Sequence, residues 1–308
     1  MQNIIRNKSD ERPWNIKTTL VILLCVVFVC ATDAGTIVAP NAYTTIAGPN
    51  GLMTLVRGTN APRTYQMQFS TNVLGGLPVG AEIIELRFRL DTISGTPAFP
   101  YDTVNWSDYQ VTLAQASNSV ATMSTNFVDN MRSPVLVKSG PLTLPALTFT
   151  GGDSPNEFAS FIVFETPYVY QGGDLVMLFR HPGSDSTESA FLDDVTTAST
   201  GYGTDFRAFT ANGFAATTGT QTSLTITELV FTYSIQSSIF RDGTNIVIVG
   251  TGGLPGDTCR ILTSTNITLP MSLWTAITSS QFDPSGTLRC TNAINSGAKP
   301  QFFRIALP

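Results

Sequence analysis

Apolar and polar positions alternate in short runs along most of this chain. In residues 82–90 (EIIELRFRL), Ile84, Leu86, Phe88 and Leu90 alternate with Glu85, Arg87 and Arg89. A period of two puts successive side chains on opposite faces of a strand, so the segment predicts an antiparallel strand with one face inward and the other in water. Residues 64–70, 109–114, 135–138, 142–149, 205–209 and 223–234 also read as strands, with turn residues between them. The strongest signal is residues 161–182 (FIVFETPYVYQGGDLVMLFRHP), two apolar runs joined by Gly172, Gly173 and Asp174. These three tolerate the positive φ of a tight reversal, and the stretch reads as the central hairpin of the fold. Residues 121–131 are the best helical candidate, and only for a turn or two.

The pattern restarts after Ser237. Residues 245–250, 258–264, 273–277, 287–291 and 302–307 give about five further strands, the density expected of a small immunoglobulin-type sandwich. The predicted fold is therefore all-β, a jelly-roll-like antiparallel β-sandwich over 35–236 followed by a small Ig-like β-sandwich module over 237–308.

The first 34 residues stand apart. Arg6, Lys8, Arg12 and Lys17 precede an uncharged apolar run, TTLVILLCVVFVCA, followed by the small residues Ala31 and Ala34. This is the layout of a secretory signal peptide cleaved after Ala31 or Ala34, or of an uncleaved signal anchor. The run is shorter than the ~20 residues that span a bilayer, so no membrane span is expected in the mature chain. The expected location is secreted or at the cell surface.

Charge narrows the partners. The 308 residues carry a net charge of −5 with 13% charged residues, and past position 34 the only lysines are Lys138 and Lys299. Nucleic-acid binding draws its affinity from clustered Lys and Arg, and no such patch can be drawn here. Outside the N-terminal segment the only cysteines are Cys259 and Cys290. In an exported chain they read as a disulfide, which by chain entropy contributes about 3 to 4 kcal/mol for a loop of about 30 residues.

Candidate chemistry is thin. His181, the single histidine, is followed by Ser184, Asp185, Asp193 and Asp194, so a Ser-His-Asp set can be written. No Gly-x-Ser-x-Gly elbow accompanies it, and a His before Pro-Gly reads more simply as a loop residue. Glu165 and Asp174 are the apolar-flanked carboxylates a glycosidase would need, although turn chemistry explains both. A structural calcium could draw on Asp153, Glu157, Asp193 or Asp194, but no EF-hand loop is present. No cofactor is otherwise implied. Tyr101, Trp106 and Tyr109, in and after a Pro-rich loop with Phe99, form a candidate platform for sugar rings; the competing reading packs Trp106 and Tyr109 in the core. Asn105-Trp-Ser and Asn266-Ile-Thr match the glycosylation pattern.

The segments TYQMQFS, LRFRLD, NWSDYQVTLA, PYVYQGGDLVMLFRH and FLDD, spread over residues 64–235, resemble secreted bacterial β-sandwich proteins of uncharacterised role, often met alongside C-terminal protein-sorting signals. GLPGDTCRILTSTN, Trp274 and the closing FFRI are similar to a small C-terminal module of exported proteins from the same bacteria. The resemblance implies an extracellular or surface location and says nothing about activity; in a bacterium the two glycosylation patterns would usually go unused. Unlike the sorting-signal members, no apolar helix and basic tail follow the last strand. The expected function is an exported non-catalytic structural or adhesive protein. A glycan-binding module ranks second and a polysaccharide-active hydrolase third. The corresponding partners are surface or matrix polysaccharide, or other surface proteins.

Overall fold

The computed structural model describes residues 31–293 and 301–307. The apolar segment that carries the export reading therefore lies outside the described residues, apart from its last residue. The chain is all-β: antiparallel strands build every sheet, and the helical structure described is limited to short 3-10 turns. Two of these, Val120–Thr122 and Phe127–Asn130, occupy the region expected to turn helically.

Two large sheets form the first unit. One contains Ala159–Val169, Glu82–Phe88 and Thr227–Asp242, with Ala31–Ala39 also paired to the last. The other runs in the order Thr220–Thr222, Phe206–Ala211, Arg63–Phe69, Leu175–His181, Gln110–Ala116, Met131–Lys138. The sheets pack face to face through aromatic rings, with Phe88 of the first edge-on to Phe179 of the second at 6.3 Å. Phe161 is the hub of this core, between 5.7 and 5.9 Å from the rings of Phe88, Trp106, Tyr109 and Phe149. Burying so many large rings at offset and edge geometries is the main source of cohesion between the sheets.

The expected hairpin at 161–182 is not one. Ala159–Val169 pairs with Glu82–Phe88 in the first sheet, whereas Leu175–His181 pairs with Arg63–Phe69 and Gln110–Ala116 in the second. Gly172 and Gly173 take φ of 82° and 77°, as the turn chemistry required. The reversal, however, carries the chain from one sheet to the other. Tyr170 fixes its entry: its N–H donates to Ala81 O, its carbonyl accepts from Gly80 N–H, and its hydroxyl donates to Gly173 O.

The second correction concerns residues 82–90. Glu85 and Arg89 are buried instead of facing water. The strand lies between two neighbours, and the Tyr43–Gly48 loop folds over its far end. Ala31–Ala39 is a strand in register with Thr227–Ile235.

The long strand Thr227–Asp242 passes without interruption through the expected boundary at 236/237. Its partner changes there: Ala31 faces Ile235, and from Gln236 onward the pairing is with Asn245–Thr251. The C-terminal module is built from Asn245–Thr251 and Thr287–Ala293 on that strand, and from a separate sheet ordered Thr275–Gln281, Thr258–Ser264, Phe302–Ala306. Gly253 packs flat against Phe282, where an added Cβ would come within 2.5 Å of the ring, so only glycine lets the two sheets meet there.

Candidate functional site

His181 ends its strand in the middle of the aromatic core, fully buried. Its ring lies stacked on Tyr109 and edge-on to Trp106. Both nitrogens serve the main chain: Nδ1 accepts from Gly183 N–H at 3.2 Å, which leaves Nε2 to donate to Thr54 O at 2.9 Å. Burial pushes the imidazole pKa down to about 4, with Arg63 and Arg57 adding to the shift and the Thr54 carbonyl opposing it. His181 is thus a neutral structural ring with no free nitrogen.

The other members of the drawn triad bond elsewhere. Ser184 Oγ donates to Ser186 O, and the Asp185 carboxylate accepts from the main-chain N–H and the amide of Asn105. Those bonds hold Asp185 below the usual carboxylate range.

Glu165 and Asp174 do not converge either. Glu165 is exposed on the first sheet and pairs at 2.6 Å with Lys138 of the second, whose ammonium also donates to Ser139 O and Pro141 O. This bridge ties the two sheets together, and Lys138 holds the Glu165 carboxyl below its ordinary value. Asp174 accepts from Thr71 N–H, as a turn residue does.

The sugar platform dissolves. Trp106 is 1% and Tyr109 0% exposed, both packed on Phe161, while Tyr101 is 58% exposed. Only Tyr101 is left to meet a ligand, and its N–H is held by Glu188. The first two rings are worth more in the core than at the rim because each buries a large apolar area.

Sequence reasoning missed a buried polar cluster around Arg89. Arg89 is fully buried, its Nε 2.7 Å from Asp193 Oδ2, its Nη2 donating to the carbonyls of Tyr43 and Ile46, and its guanidinium lying over the Phe158 ring. Asp193 Oδ1 accepts from Gly48 N–H. Burial raises the Asp193 carboxyl, against the pull of Gly48 and Arg89. Asp194 beside it has one oxygen, Oδ1, without a hydrogen-bond partner among the described residues, and burial raises its pKa to about 7. The sequence signal was the two acids of FLDD set in an apolar strand, together with an arginine at a strand end. The cluster clips the Tyr43–Gly48 loop to the sheet. Asp193 and Asp194 were also candidate calcium ligands, but both oxygens of Asp193 are already engaged. Among the described residues no group of three or more His, Cys, Asp or Glu side chains is placed to hold a metal ion.

Cys259 and Cys290 are free thiols here, in facing sheets of the C-terminal module, with Cys290 packed against the core that contains Cys259. Where the two units join, a cleft of about 610 Å³ opens between the Gly76–Ala81 turn and the Gly252–Pro255 and Pro284–Gly286 loops; its lining holds no charged residue. Among the described residues no helix is long and apolar enough to cross a membrane.

The class these features define is an all-β, antiparallel sandwich. No family model matches the chain, and no curated protein matches it. Among solved structures it is similar to a chain in the cryo-EM structure of T=3 Penaeus vannamei nodavirus, with 9% identity over 100% of this chain and 97% of that one. The TM-score is 0.16, too low to carry any statement about fold or role.

Proposed function

We propose that this chain is an exported, non-catalytic β-sandwich protein with a structural or adhesive role at the cell surface or outside the cell. The observation that carries the non-catalytic half is His181: the only histidine has both ring nitrogens committed to the main chain, in a core closed to substrate. General acid-base and nucleophilic catalysis need a group within reach of a reacting bond and with protonation states to spare. Export is supported by the basic segment and apolar run ahead of Ala31. Its partners under this reading are other surface proteins or a surface polysaccharide.

The test is turnover. Purified protein offered a panel of polysaccharides, esters and peptides is expected to release nothing. Hydrolysis that disappears in Glu165→Gln or Asp174→Asn, with circular dichroism unchanged, would replace this reading with the glycosidase one.

A further inference from the structure

Loops 53–61 and 182–189 meet at one end of the second sheet, where Arg63–Phe69 begins and Leu175–His181 ends. The N–H and the hydroxyl of Thr59 both donate to Ser186 O, at 2.7 and 2.9 Å, and Ser184 N–H donates to Arg57 O. An added Cβ at Gly58 would come within 2.7 Å of Ser186 O, so the two loops touch main chain to main chain. Both contribute to a pocket of about 260 Å³, whose lining includes Arg57, the hydroxyl residues Thr59, Thr187 and Ser189, and the apolar Met53 and Ala61.

Arg57 brings a positive charge to this pocket with nothing to meet it. Its Nε is buried without a hydrogen-bond partner among the described residues. Arg63, 8% exposed, donates from Nη1 to Asn212 Oδ1 and also has a buried Nε without a partner. The ion pairs of the described residues join Arg87 to Glu85 and Glu228, Arg89 to Asp193 and Lys138 to Glu165, and include neither arginine. The two guanidinium groups act on each other: burial, and then the charge of Arg57, lower the Arg63 pKa. The acids of the facing loop are held elsewhere, Asp185 by Asn105 and Glu188 by Tyr101 N–H.

A chain of net charge −5 has carboxylates to spare for these two, yet leaves them uncompensated side by side. Buried charge is ordinarily paired, so the arrangement costs stability alone and gains it when an anion enters. A guanidinium offers a planar fork of donors that matches a carboxylate. A phosphate backbone would call for a longer run of basic groups than this pair. The rest of the lining says what carries the anion. Thr59, Thr187 and Ser189 are exposed hydroxyl residues that both donate and accept, as sugar hydroxyls require, and Met53 and Ala61 give an apolar spot for the C–H face of a ring. The volume falls just under the roughly 300 Å³ at which drug-sized sites begin, which suits a single sugar residue. Tyr101, the one exposed ring of the candidate sugar platform, is tied by its N–H to Glu188, between Thr187 and Ser189 of the lining, so an aromatic face stands on the same rim.

We propose that the Arg57 pocket binds the carboxylate of an acidic sugar residue, with Arg57 as the fork that receives it and Arg63 as a second positive charge close by. The pocket would serve the structural or adhesive reading above, on which its assignment rests, by narrowing the polysaccharide partner to a uronate-bearing one.

The test is calorimetric titration of the full chain with oligomers of galacturonate, alginate and hyaluronan, with product release followed on the same samples. At least one of the three is expected to bind, and its methyl ester on the order of tenfold more weakly. Arg57→Gln should weaken the acid by a similar factor and leave the ester unchanged. Without ligand, Arg57→Gln should melt no lower than wild type, because it removes one of two like charges; a lower Tm would show a charge already satisfied within the fold, and the proposal would fail. It would also fail if none of the three oligomers bound, if acid and ester bound alike, or if Arg57→Gln bound like wild type. Inorganic sulfate held as tightly as the oligomer would make this a free-anion site, and an acidic peptide bound where no uronate is would assign it to a protein carboxylate; either result overturns the sugar. Product release would sink the non-catalytic reading, while the binding measurements still decide this one.

Discussion

The imidazole of His181 stacks on the phenol ring of Tyr109, with centroids 5.2 Å apart and planes 12° from parallel. The pair is neutral on both sides, since burial holds the His181 proton off and pushes the Tyr109 hydroxyl well above its ordinary value. A base whose folded pKa is depressed binds fewer protons folded than unfolded, so stability falls as pH drops from about 6.5 to about 4 and levels off below. The loss for a 2.5-unit shift is about 3 kcal/mol. With one histidine in the chain, its NMR titration is unambiguous, and a midpoint near 6.5 would contradict the buried, fully bonded ring.

Asp194 acts with the opposite sign. An acid whose folded pKa is raised to about 7 binds more protons folded than unfolded, so it costs stability as pH rises from about 4 to about 7. Asp194→Asn is expected to gain roughly 4 kcal/mol over wild type at pH 8 and nothing at pH 4. Urea melts at the two pH values measure this directly; parallel shifts at both would mean that the carboxyl titrates normally.

Removing Arg89 should be far worse than removing a surface ion pair. Arg89→Met strands the buried Asp193 charge and frees the carbonyls of Tyr43 and Ile46, a loss of about 3 to 5 kcal/mol by comparison with other broken buried pairs. Adding Asp193→Leu should recover part of it, because the uncompensated charge goes too. A double variant less stable than the single one by the full cost of a second lesion would show that the pair is not coupled.

The two module cysteines stand in facing sheets over one core, and an oxidising export route is expected to join them. Intact mass without reductant should then be lower by about 2 Da, and reduction should cost the module about 3 kcal/mol. Alkylation of both Cys259 and Cys290 in the native, never-reduced protein would exclude the bond.

Processing is constrained by the strand Ala31–Ala39. Thr32, Asp33 and Ala34 face Ser234, Tyr233 and Thr232, so a cut after Ala34 would strip three more ladder positions from the long strand than a cut after Ala31. N-terminal sequencing of exported protein is expected to begin at Thr32. A start at Gly35 would mean that this end of the ladder is dispensable.

Strand positions were legible because alternation and turn residues are local properties. Thr258–Ser264 and the start of Asn245–Thr251 fall where the pattern put them, and the all-β class follows. Pairing was not legible. Gly172 and Gly173 demanded a reversal, but nothing in residues 161–182 could say that its two arms join different sheets. Burial failed in the same way: Arg89 occupies the polar phase of its strand, and only the loop arriving from Tyr43 shows that this face is covered. Trp106 and Tyr109 were ambiguous for a related reason, since a Pro-rich flank suggests a rim whether or not the rings turn inward. Of the catalytic candidates, each was visible as a residue type, and most proved to be held by a neighbour far away in sequence, as Asp185 is by Asn105 and Asp174 by Thr71.

The uninterrupted strand Thr227–Asp242 also has a mechanical meaning. Where most two-unit proteins have a linker, this chain has a strand held on one side of Gln236 by Ala31–Ala39 and on the other by Asn245–Thr251. Tension applied across the two units would load both ladders along their length, so that many hydrogen bonds share it in shear instead of opening one at a time. A protein that holds two surfaces together is served by such a joint, because it passes force through without a hinge to yield.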